Sequence, residues 1–89
     1  MERNEVYRRI DGERAYQEKR WNTGLREGDR TDADKSPEVW LLYIEHCLNQ
    51  AKEDAYYLKP HKVMEDIRKI AGLAVAAMEV HGCPERIIE

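Results

Sequence analysis

The sequence predicts an all-α protein: an antiparallel helical hairpin with a helix before it, assembled as an oligomeric helical bundle. Apolar residues recur at three- and four-residue spacing through residues 37–58 and again through 61–81, which is the period of an amphipathic helix. A Lys59–Pro60 step separates the two stretches, and so short a connection makes the helices antiparallel neighbours. The 89 residues suffice for one small domain, residues 1–89.

The first element is an N-terminal helix over residues 1–21. Its apolar stripe is thin, so the helix needs to dock on the hairpin or on another chain to persist. Arg14, Tyr16 and Trp21 lie in its second half and form a candidate ligand-binding group. The alternative is that the two aromatic rings pack in the core and the charged groups are solvated.

A polar loop is predicted over residues 22–36, which is long for a connection in so small a domain. Its basic residues, Arg26, Arg30 and Lys35, are candidates for contact with ligand phosphates. The alternative is a solvated, disordered loop, because its composition supplies almost nothing for a core.

The hairpin covers residues 37–82 and has clear end signals. Ser36 suits the N-cap and Pro37 the first helical position, whereas Gly82 suits a helix stop. Residues 71–78, AGLAVAAM, are apolar nearly all round, which indicates burial on more than one side. One thin N-terminal helix covers little of this surface, so we expect a homo-oligomer.

Composition excludes several classes of function. The net charge of −3 argues against general nucleic-acid binding, which requires a basic face. No apolar run approaches the ~20 residues of a membrane span, and the charged N-terminus is unlike a signal peptide. Cys47 and Cys83 have no metal-ligand spacing. We expect both to be reduced thiols in a cytoplasmic protein.

Acidic residues on the hairpin form a candidate Mg²⁺ site. Antiparallel pairing brings the end of the first hairpin helix near the start of the second, and the candidate ligands are Glu45, Glu53, Glu65 and Asp66. Mg²⁺ binds carboxylates together with substrate phosphates. The alternative is that these acids are solvated and paired with nearby lysine and arginine residues.

The segments LLYIEHCLNQAKEDA (41–55) and VMEDIRKIAGLAVAAMEVHG (63–82) resemble the helical pair of small phage and prophage proteins related to the MazG-like nucleotide pyrophosphohydrolases. ERAYQEKRW (13–21) is similar to the N-terminal stretch of such proteins. The resemblance implies Mg²⁺-dependent hydrolysis between the α- and β-phosphates, with Glu45 and Glu65 matching two of the acids. Asn49 and Arg68 stand where the family places further acids, which favours binding over turnover.

Three functional hypotheses follow. The first is an oligomeric phage-type protein that needs no cofactor and sequesters a phosphorylated nucleotide, such as a cyclic or ADP-ribose-type signal. In it, Arg14, Arg68 and Lys69 contact phosphate, and Tyr16 or Trp21 stacks on a base. The second is a Mg²⁺-dependent nucleoside triphosphate pyrophosphohydrolase. The third is a structural module whose apolar face mediates assembly. The expected compartment is the cytoplasm, that of the host cell if a phage encodes the chain.

Overall fold

The computed structural model describes residues 1–22 and 32–87 and is helical throughout its regular structure. Its helices are α1 (Arg3–Asn22), α2 (Pro37–Tyr56) and α3 (Pro60–His81), and a short 3₁₀ turn, Asp32–Asp34, precedes α2. The all-α prediction is therefore confirmed. None of the helices in these two ranges is long and apolar enough to cross a membrane.

α3 is the central helix, and α1 and α2 both pack on it without packing along each other. α2 runs antiparallel to α3: Trp40 near its start packs with Leu73 and Ala76, as the short connection requires. α1 runs in the same direction as α3, because Gln17 reaches the Lys69 backbone and the earlier residues of α1 lie near the start of α3. The three helices thus lie side by side, with α3 in the middle.

The apolar core is small. Its fully buried members are Trp40, Leu73 and Ala76, and partly buried side chains pack around them: Trp21, Ile44, Cys47, Ala77 and Val80. The predicted burial of residues 71–78 on more than one side holds for Gly72, Leu73 and Ala76, but Met78 at the end of that segment is exposed. α1 and α2 together cover part of the segment, and the rest of its apolar surface faces solvent.

The connection between α2 and α3 begins earlier than the predicted apolar stretch 37–58 indicates. α2 ends at Tyr56, and Leu58 adopts a left-handed conformation with φ 56°. The Lys59 amide donates to the Asp54 carbonyl at 2.9 Å and the Leu58 amide to the Ala55 carbonyl at 3.1 Å. This is the Schellman motif, which usually has glycine at the left-handed position. The sequence signal was absent because a leucine stands there.

The other predicted helix ends are where the sequence put them. Ser36 is the N-cap of α2, with Pro37 following, although its side chain makes no capping bond. Gly82 follows α3 with φ 89°, and its amide donates to the Met78 carbonyl at 2.8 Å. Of the predicted polar loop, residues 23–31, and with them Arg26 and Arg30, lie outside the described residues. In its last part, Asp32 is buried, whereas Ala33 and Asp34 are exposed.

Candidate binding cleft

A cleft runs along α3 between α1 and α2, and we call this surface the cleft throughout. It exists because the flanking helices both pack on α3 but not along each other. Four adjoining cavities of about 590, 430, 360 and 320 Å³ make it up, and Lys69 lines three of them. Small-molecule sites in proteins have volumes of about 300–1,000 Å³, so the cleft is large enough for a ligand of that class.

One end of the cleft is basic, and we call it the basic end. A cavity of about 590 Å³ there is lined by Arg8, Arg9, Gly12, Glu13, Tyr16, Glu65, Arg68 and Lys69. Four cationic side chains therefore face two carboxylates, in a chain whose net charge is −3. Of the predicted ligand-binding residues, the structure brings Tyr16, Arg68 and Lys69 together here. Arg8 and Arg9 also line this cavity, which the sequence did not predict. The apolar stripe of α1 is too thin to indicate which of its polar residues lie toward α3.

The basic side chains differ in how far they are already neutralised. Arg8 and Arg9 both donate to Glu5, and the Arg8 hydrogen bond, with that of Arg9, lowers the pKa of Glu5 to about 2. Arg68 donates through Nε to the buried Glu13 carboxylate at 2.9 Å. The Lys69 ammonium has no hydrogen bond or ion pair with any residue in the described ranges. Lys69 is therefore the cation most available to an anionic ligand.

From the basic end the cleft continues toward aromatic side chains. The next cavity, of about 320 Å³, shares Tyr16 and Lys69 with the basic end and adds Trp21. Tyr43 of α2 lies beside Trp21, with ring centroids 6.3 Å apart. Tyr16 and Trp21 are five residues apart on one helix, about 7.5 Å at 1.5 Å per residue. The predicted grouping of both rings with Lys69 is thus present along one cleft.

Lys35 closes the aromatic end and has a role that its sequence context did not suggest. Its ammonium lies 5.3, 5.1 and 5.4 Å from the ring centres of Trp21, Trp40 and Tyr43. It also makes an ion pair of 2.7 Å with Asp32. An ammonium over several aromatic faces is stabilised by their negative π-clouds. We call this group the Lys35 cluster; the nearest sequence signal was its basic character, which suggested a phosphate contact instead.

Arg14 lies away from the cleft. Its guanidinium is buried, donates twice to Glu79 at 3.2 and 3.1 Å, and lies 3.8 Å from Asp32. These contacts tie α1 and the 3₁₀ turn to the C-terminal half of α3. Arg14 therefore does not lie beside Arg68 and Lys69, with which it was predicted to bind phosphate. His81, the last residue of α3, has its Nε2 2.7 Å from the Lys35 carbonyl oxygen.

The predicted metal ligands do not come together. Glu45 and Glu53 are exposed on α2, whereas Glu65 makes an ion pair of 3.2 Å with His61 on α3. Within residues 1–22 and 32–87, no three His, Cys, Asp or Glu side chains are close enough to share a metal ion. The four acids named from the sequence therefore do not form the Mg²⁺ site that was expected of them.

Asp66 instead forms a buried pair with Asp54 across the contact between α2 and α3. Both aspartates are buried, and Asp66 is 5% exposed. Burial is the main cause that raises the pKa of Asp66, and its hydrogen bond with Asp54 adds to this. Burial and the neighbouring Asp54 therefore favour the protonated form of Asp66. Both aspartates line the acidic end of the cleft, beside Lys62 and Lys69.

Gln17 and Gly72 set how closely α1 approaches α3 beside the cleft, a role that neither residue's sequence context predicts. Gln17 is buried and donates through Nε2 to the Lys69 carbonyl at 3.1 Å. A Cβ on Gly72 would lie 2.8 Å from Gln17 Oε1, so the glycine allows α1 to approach α3 closely. The available sequence signal was that Gly72 is one of several small residues within 71–78.

Comparison with known proteins adds no relative: no family model, curated protein or solved structure matches this chain.

Proposed function

We propose that the protein binds a phosphorylated nucleotide in the cleft without chemical turnover. The observation that carries the proposal is the basic end, where four cations, two carboxylates and one tyrosine line a cavity of about 590 Å³ with a local excess of positive charge in an acidic chain. Arginine and lysine side chains are the usual protein partners of phosphate. An aromatic ring next to them supplies a stacking surface for a base.

The arrangement along the cleft supports a nucleotide over a simple anion. Phosphate binds at Lys69 and at the guanidinium of Arg68, and the base stacks on Tyr16 or Trp21. Arg68 remains suited to this role because its bond to Glu13 uses Nε, and its terminal amino groups have no partner among the described residues. Cyclic and ADP-ribose-type nucleotides belong to this ligand class, and sequestering such a signal in the cytoplasm is the role we propose.

The proposal does not include hydrolysis. Cleavage of a pyrophosphate bond by the expected mechanism needs several carboxylates around a divalent ion, and the acids named for it lie apart on α2 and α3. Incubation with Mg²⁺ and nucleoside triphosphates should therefore release no pyrophosphate.

Lys69→Gln is the sharpest test of binding. Because the Lys69 ammonium makes no hydrogen bond or ion pair with any described residue and acts on Asp66 only through its charge, its removal should leave the fold intact. A panel of linear, cyclic and ADP-ribose-type nucleotides is titrated by calorimetry and by thermal shift. A ligand at a hundred times its Kd adds about 2.7 kcal/mol of stability, and Lys69→Gln should weaken binding about tenfold.

Lys52→Gln is the matched control, because Lys52 is an exposed lysine on α2 that lines none of the cleft cavities described. It should bind like the unmodified protein. A flat response to the whole panel would refute the proposal. Equal weakening of binding by Lys69→Gln and Lys52→Gln would show that the protein attracts anions without a specific site, which would also refute the proposal.

A further inference from the structure

The face of the helical layer opposite the cleft is apolar and open. We call it the apolar face; its members are Leu41 and Leu48 of α2 and Met64, Ile67, Ala71 and Met78 of α3. All but the half-buried Ala71 are exposed. Monomeric proteins seldom leave apolar patches larger than a few hundred Å² exposed, so this face calls for an explanation.

Helical geometry places these residues opposite the cleft. Two positions along an α-helix turn the side chain by about 200°. Ala71 follows Lys69 by two residues and Leu48 follows His46 by two, and both Lys69 and His46 line the cleft. Leu41 likewise precedes the cleft residue Tyr43 by two. The cleft and the apolar face are therefore the two sides of one layer.

We propose that the apolar face binds a second copy of this chain in a two-fold symmetric, antiparallel dimer centred on Ala71. A two-fold interface uses the same patch on both subunits. On α3, Met64 and Met78 are each seven residues from Ala71. Antiparallel pairing about Ala71 sets Met64 of one protomer against the partner's Met78. The small side chain of Ala71 at the centre lets the two copies of α3 approach closely.

The size of the face and the weakness of the core both favour this occupant. From Met64 to Met78 the face is about 21 Å long at 1.5 Å per residue. Two helices packed side by side give it a width of about 20 Å. Its centre thus supplies about half of the ~800 Å² that each partner buries in a stable interface, and apolar side chains of α1 at its edge, such as Val6, extend it. A chain this small gains stability from such burial.

Adjacent leucines provide a matched pair of variants. Leu41 and Leu42 are 64% and 63% exposed, but Leu42 is two residues from the buried Trp40 and points away from α3 and from the apolar face. Mass is measured by light scattering and sedimentation over about a hundredfold range of concentration. The unmodified protein should show twice the chain mass of 10.5 kDa. Leu41→Lys should raise the dimer dissociation constant at least about tenfold, and Leu42→Lys less than about twofold.

A monomer across the whole range would overturn the proposal, as would equal weakening by both lysine variants. Should Leu41→Lys fail to fold by circular dichroism, an Ala71→Cys variant in a Cys83→Ser background decides. Cysteines at a two-fold axis lie within disulfide reach, so mild oxidation should give covalent dimers, with Leu42→Cys as the unlinked control. No dimer from Ala71→Cys would also overturn the pairing. Lys69→Gln should leave the mass unchanged, so failure of the dimer and failure of nucleotide binding are separate results.

Discussion

Lys35→Met tests whether the Lys35 cluster stabilises the fold. Methionine keeps the length and much of the apolar surface of lysine but removes the ammonium. That ammonium lies between 5.1 and 5.4 Å from three ring centres and 2.7 Å from Asp32. Its side chain is 15% exposed, so its interactions are little weakened by solvent.

The expected loss follows from these contacts. A largely desolvated cation over aromatic rings contributes about 2 kcal/mol, and the three rings share one charge, so their contributions do not simply add. Asp32 would keep Arg14 as a partner at the longer distance of 3.8 Å, which limits the cost of losing the ion pair. We therefore expect a loss of about 2 kcal/mol in the free energy of unfolding. At about 4–8 °C per kcal/mol, this lowers Tm by roughly 10 °C.

The assay is urea and thermal unfolding followed by tryptophan fluorescence, since both tryptophans of the chain lie in the Lys35 cluster. Lys59→Met is the control: the Lys59 ammonium lies 5.9 Å from a single ring, that of the exposed Tyr57, so the change should stay within about 0.5 kcal/mol. The Lys35→Met loss should persist at high salt. If the two variants lose equal stability, the reasoning about the cluster is wrong.

Three further predictions concern the helix contacts. Leu58→Gly should stabilise the protein by about 1 kcal/mol in urea unfolding, because glycine relieves the left-handed conformation; a loss would show that Leu58 makes a needed contact. Gly72→Ala alone should raise the free energy of unfolding little, because the new Cβ displaces Gln17. In a Gln17→Ala background the same change should raise it by about 1 kcal/mol through helix propensity. Equal effects in both backgrounds would contradict the close approach of α1 to Gly72. The pKa of Asp66 is raised in the folded state. Between its ordinary and its raised pKa, the folded protein therefore binds more protons than the unfolded chain. The free energy of unfolding consequently falls as pH rises through that window. Asp66→Asn removes this dependence, and its stability relative to the unmodified protein should increase from acidic to neutral pH; parallel pH profiles would refute the assignment.

The helices were predictable because their signals are local. Periodic apolar residues, Ser36, Pro37 and Gly82 act within a few residues, so the bounds of α1 to α3 could be predicted closely from the sequence. The end of α2 was less accessible, because a leucine at a left-handed position gives no sequence signal. The Leu58 side chain is 86% exposed, so the backbone hydrogen bonds of the Schellman motif, and not side-chain packing, accompany this conformation.

The candidate site was predictable in part for the same reason. Tyr16, Arg68 and Lys69 meet because helical spacing and parallel docking place them together. Arg14 and Lys35 carry the charge expected of a phosphate ligand, but the structure places them against Glu79 and against the aromatic rings, contacts that their sequence context does not reveal. Glu5 neutralises Arg8 and Arg9 through local helical spacing, whereas Arg14 and Arg68 are neutralised by tertiary contacts that residue type alone does not reveal.

The contact between α1 and α3 has a further consequence for motion. It depends largely on polar groups, namely the Gln17 bond to a backbone carbonyl and the Arg14 and Arg68 ion pairs, whereas α2 and α3 share the buried apolar core of Trp40, Leu73 and Ala76, with Trp21 of α1 at its edge. α1 is therefore a separate unit of local opening, and its amide protons should exchange at a lower free energy than those of α2 and α3. A molecule that bridges Arg9 and Lys69 would hold this unit closed. Ligand binding would then slow amide hydrogen exchange in α1 alone. Part of the binding free energy would be spent on ordering that one helix.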